Sequence, residues 1–68
     1  MNIKTQIQIL NFLKTPQRAS TVAREFKLDK HATYRLLKKL EVNKVAKTYW
    51  EKGTKLYEVN LNEFDKYS

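Results

Sequence analysis

The sequence contains no cysteine, a single histidine, and one residue each of glycine and proline. The missing cysteine excludes disulfides and thiolate metal sites, and a lone His31 excludes a zinc site made of several histidines. No nucleophile–histidine or acid–base pair stands out, so we expect no catalysis, no cofactor and no small-molecule ligand. No apolar run approaches the ~20 residues of a membrane span, and the N-terminus lacks a secretory apolar segment. A cytoplasmic protein is therefore expected.

What the sequence does have is positive charge. Its 68 residues make one domain, which carries a formal charge of +7 and a pI near 9.8. The charge is uneven: up to Lys55 there are 13 lysines and arginines against 4 acids, whereas the last 13 residues hold 1 lysine against 3 acids. A basic body favours a polyanionic partner. An anionic membrane surface fits less well, because the basic residues do not lie opposite one long apolar stripe.

The first helix is predicted over residues 2–14, where apolar residues recur at helical spacing. Pro16 stops it, because proline disfavours the helical conformation in the residue before it. Residues 15–19 are predicted to form a loop. The core stripe of this helix is expected to comprise Ile3, Ile7, Leu10 and Leu13, with Ile9 and Phe12 beside it.

Two further helices are predicted over residues 20–27 and 30–42. Ser20 is the expected N-cap of the first, whose apolar face carries Val22, Ala23 and Phe26, and Asp29 is the expected N-cap of the second. Asn43 is expected to end the third helix in a left-handed conformation. Such a pair joined by a tight turn is a helix-turn-helix, whose second helix enters the major groove of DNA. The inward face of the third helix is expected to hold Thr33, Leu36, Leu37 and Leu40, and the outward face His31, Tyr34, Arg35 and Lys38, with Lys39 at its flank.

A β-hairpin is predicted over residues 44–61, because the apolar period changes there from 3.6 to 2. The only glycine, Gly53, lies where a tight turn needs a positive φ. If Glu51 faces Thr54, then Lys47 lies opposite Glu58, a favourable cross-strand pair. Tyr49 and Trp50 are expected to pack within the hairpin rather than to stack on bases. The tail, residues 62–68, forms either one more helical turn or a frayed end.

Three helices followed by a hairpin, in this order, resemble the winged helix-turn-helix transcription regulators over about residues 3–61. Being short and standing alone, the chain is most similar to the small winged-helix proteins of archaea and their viruses and plasmids. It departs from many members at Lys27 and Lys44, where glycine is common. Lysine adopts a left-handed conformation there at a cost of about 1 kcal/mol. The residues that carry the resemblance are Ile9, Leu10, Leu13, Val22, Ala23, Phe26, Leu28, Asp29, Thr33, Arg35, Leu37, Leu40, Val45, Ala46 and Gly53.

The resemblance implies an α+β fold and a sequence-specific complex with double-stranded DNA. In the family the third helix enters the major groove, and the wing contacts the backbone or minor groove. By position, base edges would meet His31, Tyr34, Arg35 and Lys38, and phosphates would meet Lys39, Lys52, Thr54 and Lys55. Lys30 is a further expected DNA-binding residue. The start of the second helix, with Arg18, Ser20 and Thr21, is a further expected phosphate contact. Taken singly, Lys38, Lys39 and His31 could equally be solvated surface residues.

A homodimer is expected from the excess apolar surface of the first helix and the tail, with Ile9, Phe12, Phe64 and Tyr67 as interface residues. The alternative is that the hairpin or tail of the same chain covers Ile9 and Phe12. Two other functions stay open: a protein-interaction module within a replication or transcription assembly, and an architectural or RNA-binding protein without sequence readout.

Overall fold

The computed structural model describes residues 3–60 and confirms an α+β fold of three helices followed by a two-stranded antiparallel hairpin. The elements are α1 (Ile3–Phe12), α2 (Ala19–Glu25), α3 (Lys30–Val42), β1 (Ala46–Glu51) and β2 (Thr54–Val59). This order is that of a winged helix, and we call the hairpin the wing. The predictions for Leu61, Phe64, Tyr67 and a helical turn in the tail lie outside the described residues.

The first helix buries a different stripe from the one predicted. Ile9 is fully buried, with Leu10 and Leu13 beside it, whereas Ile3 is 73% exposed and Ile7 41% exposed. None of residues 3–8 is buried, so α1 contributes to the core through its C-terminal half alone. The helical period was correct, but a stripe chosen by spacing alone included two residues that the other elements do not cover.

The second helix begins one residue earlier than predicted. Its N-cap is Arg18, which makes no side-chain capping bond, so the prediction of Ser20 as N-cap is wrong. Ala19 is buried in the core as the first helical residue, which leaves Ser20 exposed within the first turn.

The third helix has the predicted bounds and the predicted cap. The Asp29 carboxylate accepts a hydrogen bond from the Ala32 N–H at 3.1 Å, which satisfies one free donor of the first turn. The hydroxyl of fully buried Thr33 donates to the Asp29 carbonyl at 2.9 Å. Leu36, Leu37 and Leu40 point into the core, as their spacing predicted.

Lysines occupy the turns where glycine is common in winged helices. Lys27 has φ 54° and Lys44 has φ 62°, both in the left-handed region. Asn43 caps α3 with φ −84°, so the prediction that Asn43 itself is left-handed is wrong and Lys44 takes that conformation instead. Each lysine carries a steric cost of about 1–2 kcal/mol that a glycine would avoid.

The wing has the predicted register. Glu51 pairs with Thr54 across a two-residue turn, and Lys47 lies opposite Glu58, with 3.5 Å between the ammonium and a carboxylate oxygen. Both turn residues have positive φ, 52° at Lys52 and 78° at Gly53, as a type I′ hairpin turn requires.

The base of the wing is bonded to the connection between α1 and α2, which was predicted to be a loop. Gln17 and Tyr57 exchange two backbone hydrogen bonds, of 2.9 and 2.8 Å, so Gln17 forms an isolated antiparallel bridge on the free edge of β2. The Val59 N–H also donates to the Leu13 carbonyl at 2.9 Å. Tyr57 and Val59, both buried, thereby close the core over the helices.

Candidate nucleic-acid interface

The outward face of α3 is exposed, as its spacing predicted. His31, Tyr34, Arg35 and Lys38 are all exposed, because the opposite face of the helix is committed to the core. The Arg35 side chain makes no hydrogen bond or ion pair with any part of the chain that the structure describes. Its guanidinium is therefore available to an external acceptor. Lys30 is exposed in the first turn of this helix.

One side of α3 is joined to the wing by a carboxylate that we call the Glu41 clasp. Glu41 accepts hydrogen bonds from the Thr48 hydroxyl of β1 at 3.1 Å and from the Lys55 ammonium of β2 at 3.4 Å. Partial burial by itself would raise the pKa of Glu41, but these two bonds and the charges of Lys55 and Lys38 outweigh it. The net result is a pKa below the ordinary value. The clasp fixes the wing against α3.

Lys55 was expected to contact phosphate, but its ammonium already has partners within the chain. Its ammonium pairs with Glu41 and lies 5.3 Å from the centre of the Tyr57 ring. Burial would lower the pKa of Lys55, yet Tyr57 and Glu41 together raise it. The side chain stays charged, but Glu41 balances that charge. The primary role that the structure supports for Lys55 is holding the wing in place.

A cleft of about 270 Å³ joins three elements that are far apart in sequence. Arg18 and Ser20 come from the start of α2, Tyr34 from α3, and Thr54 and Lys55 from the wing, and all five were predicted as DNA contacts. Arg18 also lines a second, smaller cleft of about 230 Å³ with Lys52. The other six predicted contacts line neither cleft. His31, Arg35 and Lys38 lie on the outward face of α3, Thr21 is half-buried in α2, Lys30 begins α3, and Lys39 lines a groove with Gln6 and Asn43.

The described residues are more basic than the whole chain. They hold 13 lysines and arginines against 5 acids, a net charge of +8. Within residues 3–60 only Lys47 and Lys55 form ion pairs. The cations on α3 and at the wing turn are thus unpaired within this range, and a polyanion would meet them with little competition from carboxylates.

The two faces of the wing differ in charge and in neighbours. The inner face, which packs on the helices, carries the buried residues Ala46, Tyr57 and Val59. Tyr49 lies on the outer face, where partial burial and then the charges of Glu58 and Glu51 raise the pKa of its phenol. The outer face is the acidic side of the wing and is poorly suited to an anionic partner.

Trp50 is the residue whose role the sequence analysis missed. It was expected to pack within the hairpin, but its side chain is 69% exposed. Strand alternation places it on the inner face with Ala46 and Thr48, and it pairs with Lys55. That alternation was visible in the sequence. The sequence did not show that Trp50 is left uncovered on this face.

The predicted dimer contacts are placed differently from the expectation. Ile9 is fully buried in the core of its own chain and offers no surface to a partner. Phe12 is half-buried and packs edge-on against Phe26, with ring centres 5.6 Å apart. The exposed apolar side chains of the helices are instead Ile3, Ile7 and Val42.

Neither a metal site nor a membrane-spanning helix is found in the part of the chain that the structure describes. No group of three or more potential metal ligands occurs among residues 3–60. None of the helices in that range has the length and apolar character needed to span a bilayer. The chain matches no protein-family model, no curated protein and no solved structure.

Proposed function

We propose that this chain is a sequence-specific, double-stranded DNA-binding protein of the winged-helix type and acts as a transcription regulator. The observation that carries the proposal is the exposed face of α3 with Arg35 and Lys38, together with a wing that the Glu41 clasp holds against the same helix. A helix presented in this way fits the major groove, and the wing then meets the backbone or minor groove.

Each residue of the surface has a role suited to its chemistry. Arg35 donates two hydrogen bonds to a guanine, and His31 and Tyr34 contact neighbouring base edges. Lysines act as point charges on phosphates, chiefly Lys38 and Lys52. The remaining proposed phosphate contacts are Arg18, Ser20, Thr21, Lys30, Lys39, Thr54 and Lys55.

The test is a binding titration on a duplex selected from random DNA, against an unselected duplex. Neutralising five or six phosphates gives a slope of about −5 per subunit when the logarithm of the binding constant is plotted against the logarithm of the salt concentration. Arg35→Ala is expected to cost about 1–3 kcal/mol and to relax sequence preference, because it removes a base-edge contact. The matched control is Arg24→Ala, an exposed arginine of α2 outside both clefts. Equal binding of every duplex by the parent and Arg35→Ala would refute readout by α3.

A homodimer is the proposed assembly. It is supported by the exposed isoleucines at the start of α1, Ile3 and Ile7, which lie on one stripe of the helix. Two copies paired there would leave both α3 helices free, and half-sites about 34 Å apart would follow, about ten base pairs or a multiple.

A second candidate function is a protein-interaction module, which the same isoleucines and Val42 favour because they are exposed apolar side chains. In that case Ile7→Glu abolishes partner binding while Arg35→Ala leaves it unchanged. The DNA-binding proposal expects the larger loss from Arg35→Ala.

A further inference from the structure

We propose that Trp50 stacks on an unpaired DNA base, so that the preferred ligand is a duplex with an unpaired base beside the α3 site. This inference rests on the proposed DNA binding and names the class of DNA. Three observations carry it: the exposure of the indole, its position beyond the Glu41 clasp, and the charges around it.

The position of Trp50 follows from the clasp. Thr48 lies two residues earlier on the same face of β1 and touches Glu41, so Trp50 stands about 7 Å further towards the wing tip. Its cross-strand partner, Lys55, bonds the same carboxylate. Trp50 is therefore on the α3 side of the wing, yet the residue is 69% exposed.

The surroundings of the indole favour a nucleotide over an apolar partner. Lys52 lies two residues after Trp50 in the turn of the wing, and Lys38 lies on α3 one helical turn before Glu41, the residue that bonds the wing. A ligand that satisfies both an exposed ring face and these cations is one with a planar ring and negative charge. A nucleotide of a DNA strand combines the two.

The geometry of DNA limits which kinds of DNA offer a ring face to Trp50. Bases inside a duplex present only their edges in the grooves, because neighbouring pairs cover their ring faces. A ring face becomes available to a side chain where a base is unpaired, as in a single-stranded overhang or at an opened step. Stacking at such a base would add affinity that the contacts of α3 do not supply.

Trp50 is the only tryptophan, so its fluorescence reports on this one side chain. The experiment compares three probes with the full chain: a blunt duplex, the same duplex with a single-stranded thymine overhang, and one whose overhang is abasic. The abasic overhang keeps the phosphates and removes the rings. We expect the thymine overhang to bind at least about fivefold more tightly than the abasic one and to quench Trp50 fluorescence.

Variants separate stacking from charge. Trp50→Ala is expected to abolish the preference for the thymine overhang and to leave blunt-duplex binding within about twofold. Trp50→Phe keeps part of the preference, because a smaller ring still stacks. Tyr49→Ala, which removes the neighbouring aromatic ring on the outer face, leaves the preference unchanged.

The outcomes distinguish this inference from the function on which it rests. If the two overhangs bind with equal affinity and quench equally, Trp50 does not stack on the base. If blunt-duplex binding is still sensitive to Arg35→Ala, the proposed function stands. Absence of binding to all three probes overturns both.

Discussion

The Glu41 clasp makes a prediction about stability that needs no DNA. Glu41→Gln removes the charge that pairs with Lys55 while keeping the shape of the side chain. Both partners are about one-third exposed, at 29% and 32%, so solvent screening reduces the value of the pair. Charge-assisted hydrogen bonds are roughly twice as strong as neutral ones, and two are weakened here. Together these effects are expected to lower the free energy of unfolding by about 1 kcal/mol, which lowers Tm by about 4–8 °C for a domain of this size.

The dependence on pH provides a sharper signature. The pKa of Glu41 is lowered in the folded chain, so the unfolded chain binds the proton more readily. The stability due to this group is therefore fully present above the ordinary pKa of 4.5 and is lost as pH falls through the lower, folded value. In Glu41→Gln that part of the acid-induced loss disappears.

The assay is urea unfolding followed by far-ultraviolet circular dichroism, at neutral pH and at several values below pH 4.5. Glu51→Gln is the matched control, because Glu51 is an exposed glutamate of the wing with no ion pair in residues 3–60. Thr48→Val removes the other donor and is expected to be non-additive with Glu41→Gln. If Glu41→Gln is as stable as the parent at neutral pH and has the same acid profile, the clasp does not stabilise the wing.

Four other changes test separate features. Asp29→Ala removes the cap of α3 and is expected to cost about 1 kcal/mol in thermal unfolding, with loss of helical circular dichroism in parallel. Gly53→Ala meets no atom within 4 Å but forces a Cβ onto φ +78°, so we expect a loss of about 1–2 kcal/mol from backbone strain alone. Lys44→Gly relieves the same strain and is expected to raise the unfolding free energy by about 0.5 kcal/mol, whereas Lys44→Ala gives no gain. Ile7→Glu is expected to convert a dimer to an 8.1 kDa monomer in analytical ultracentrifugation without loss of helix, and a parent that is already monomeric at tens of micromolar contradicts the dimer.

Local signals predicted most of the fold. The bounds of α3 follow from Asp29 as a cap and from leucines at helical spacing, and both features are local in sequence. The wing follows from alternation around a single glycine, and its register was correct because a two-residue turn leaves one pairing. These elements have sequence preferences that agree with their tertiary environment.

The features that the sequence did not predict depend on tertiary placement. Whether Ile7 or Ile9 is buried depends on how far the other elements extend along α1, which helical spacing does not encode. The engagement of Lys55 by Glu41 joins residues 14 positions apart and requires the wing to lie against α3. The exposure of Trp50 has the same origin, because it lies past the end of the layer that covers Ala46 and Tyr57.

The strand bridge between Gln17 and Tyr57 determines where the wing can bend. At Tyr57 the strand β2 has neighbours on both edges, Thr48 on one and Gln17 on the other, whereas nearer the turn it has only β1. The hairpin is therefore least supported beyond Tyr57, on the side of the turn, where the Glu41 clasp is the contact that holds it. A bend at this point would move the tip, with Trp50 and Lys52, relative to α3, whereas Tyr57 and Val59 are held in the core.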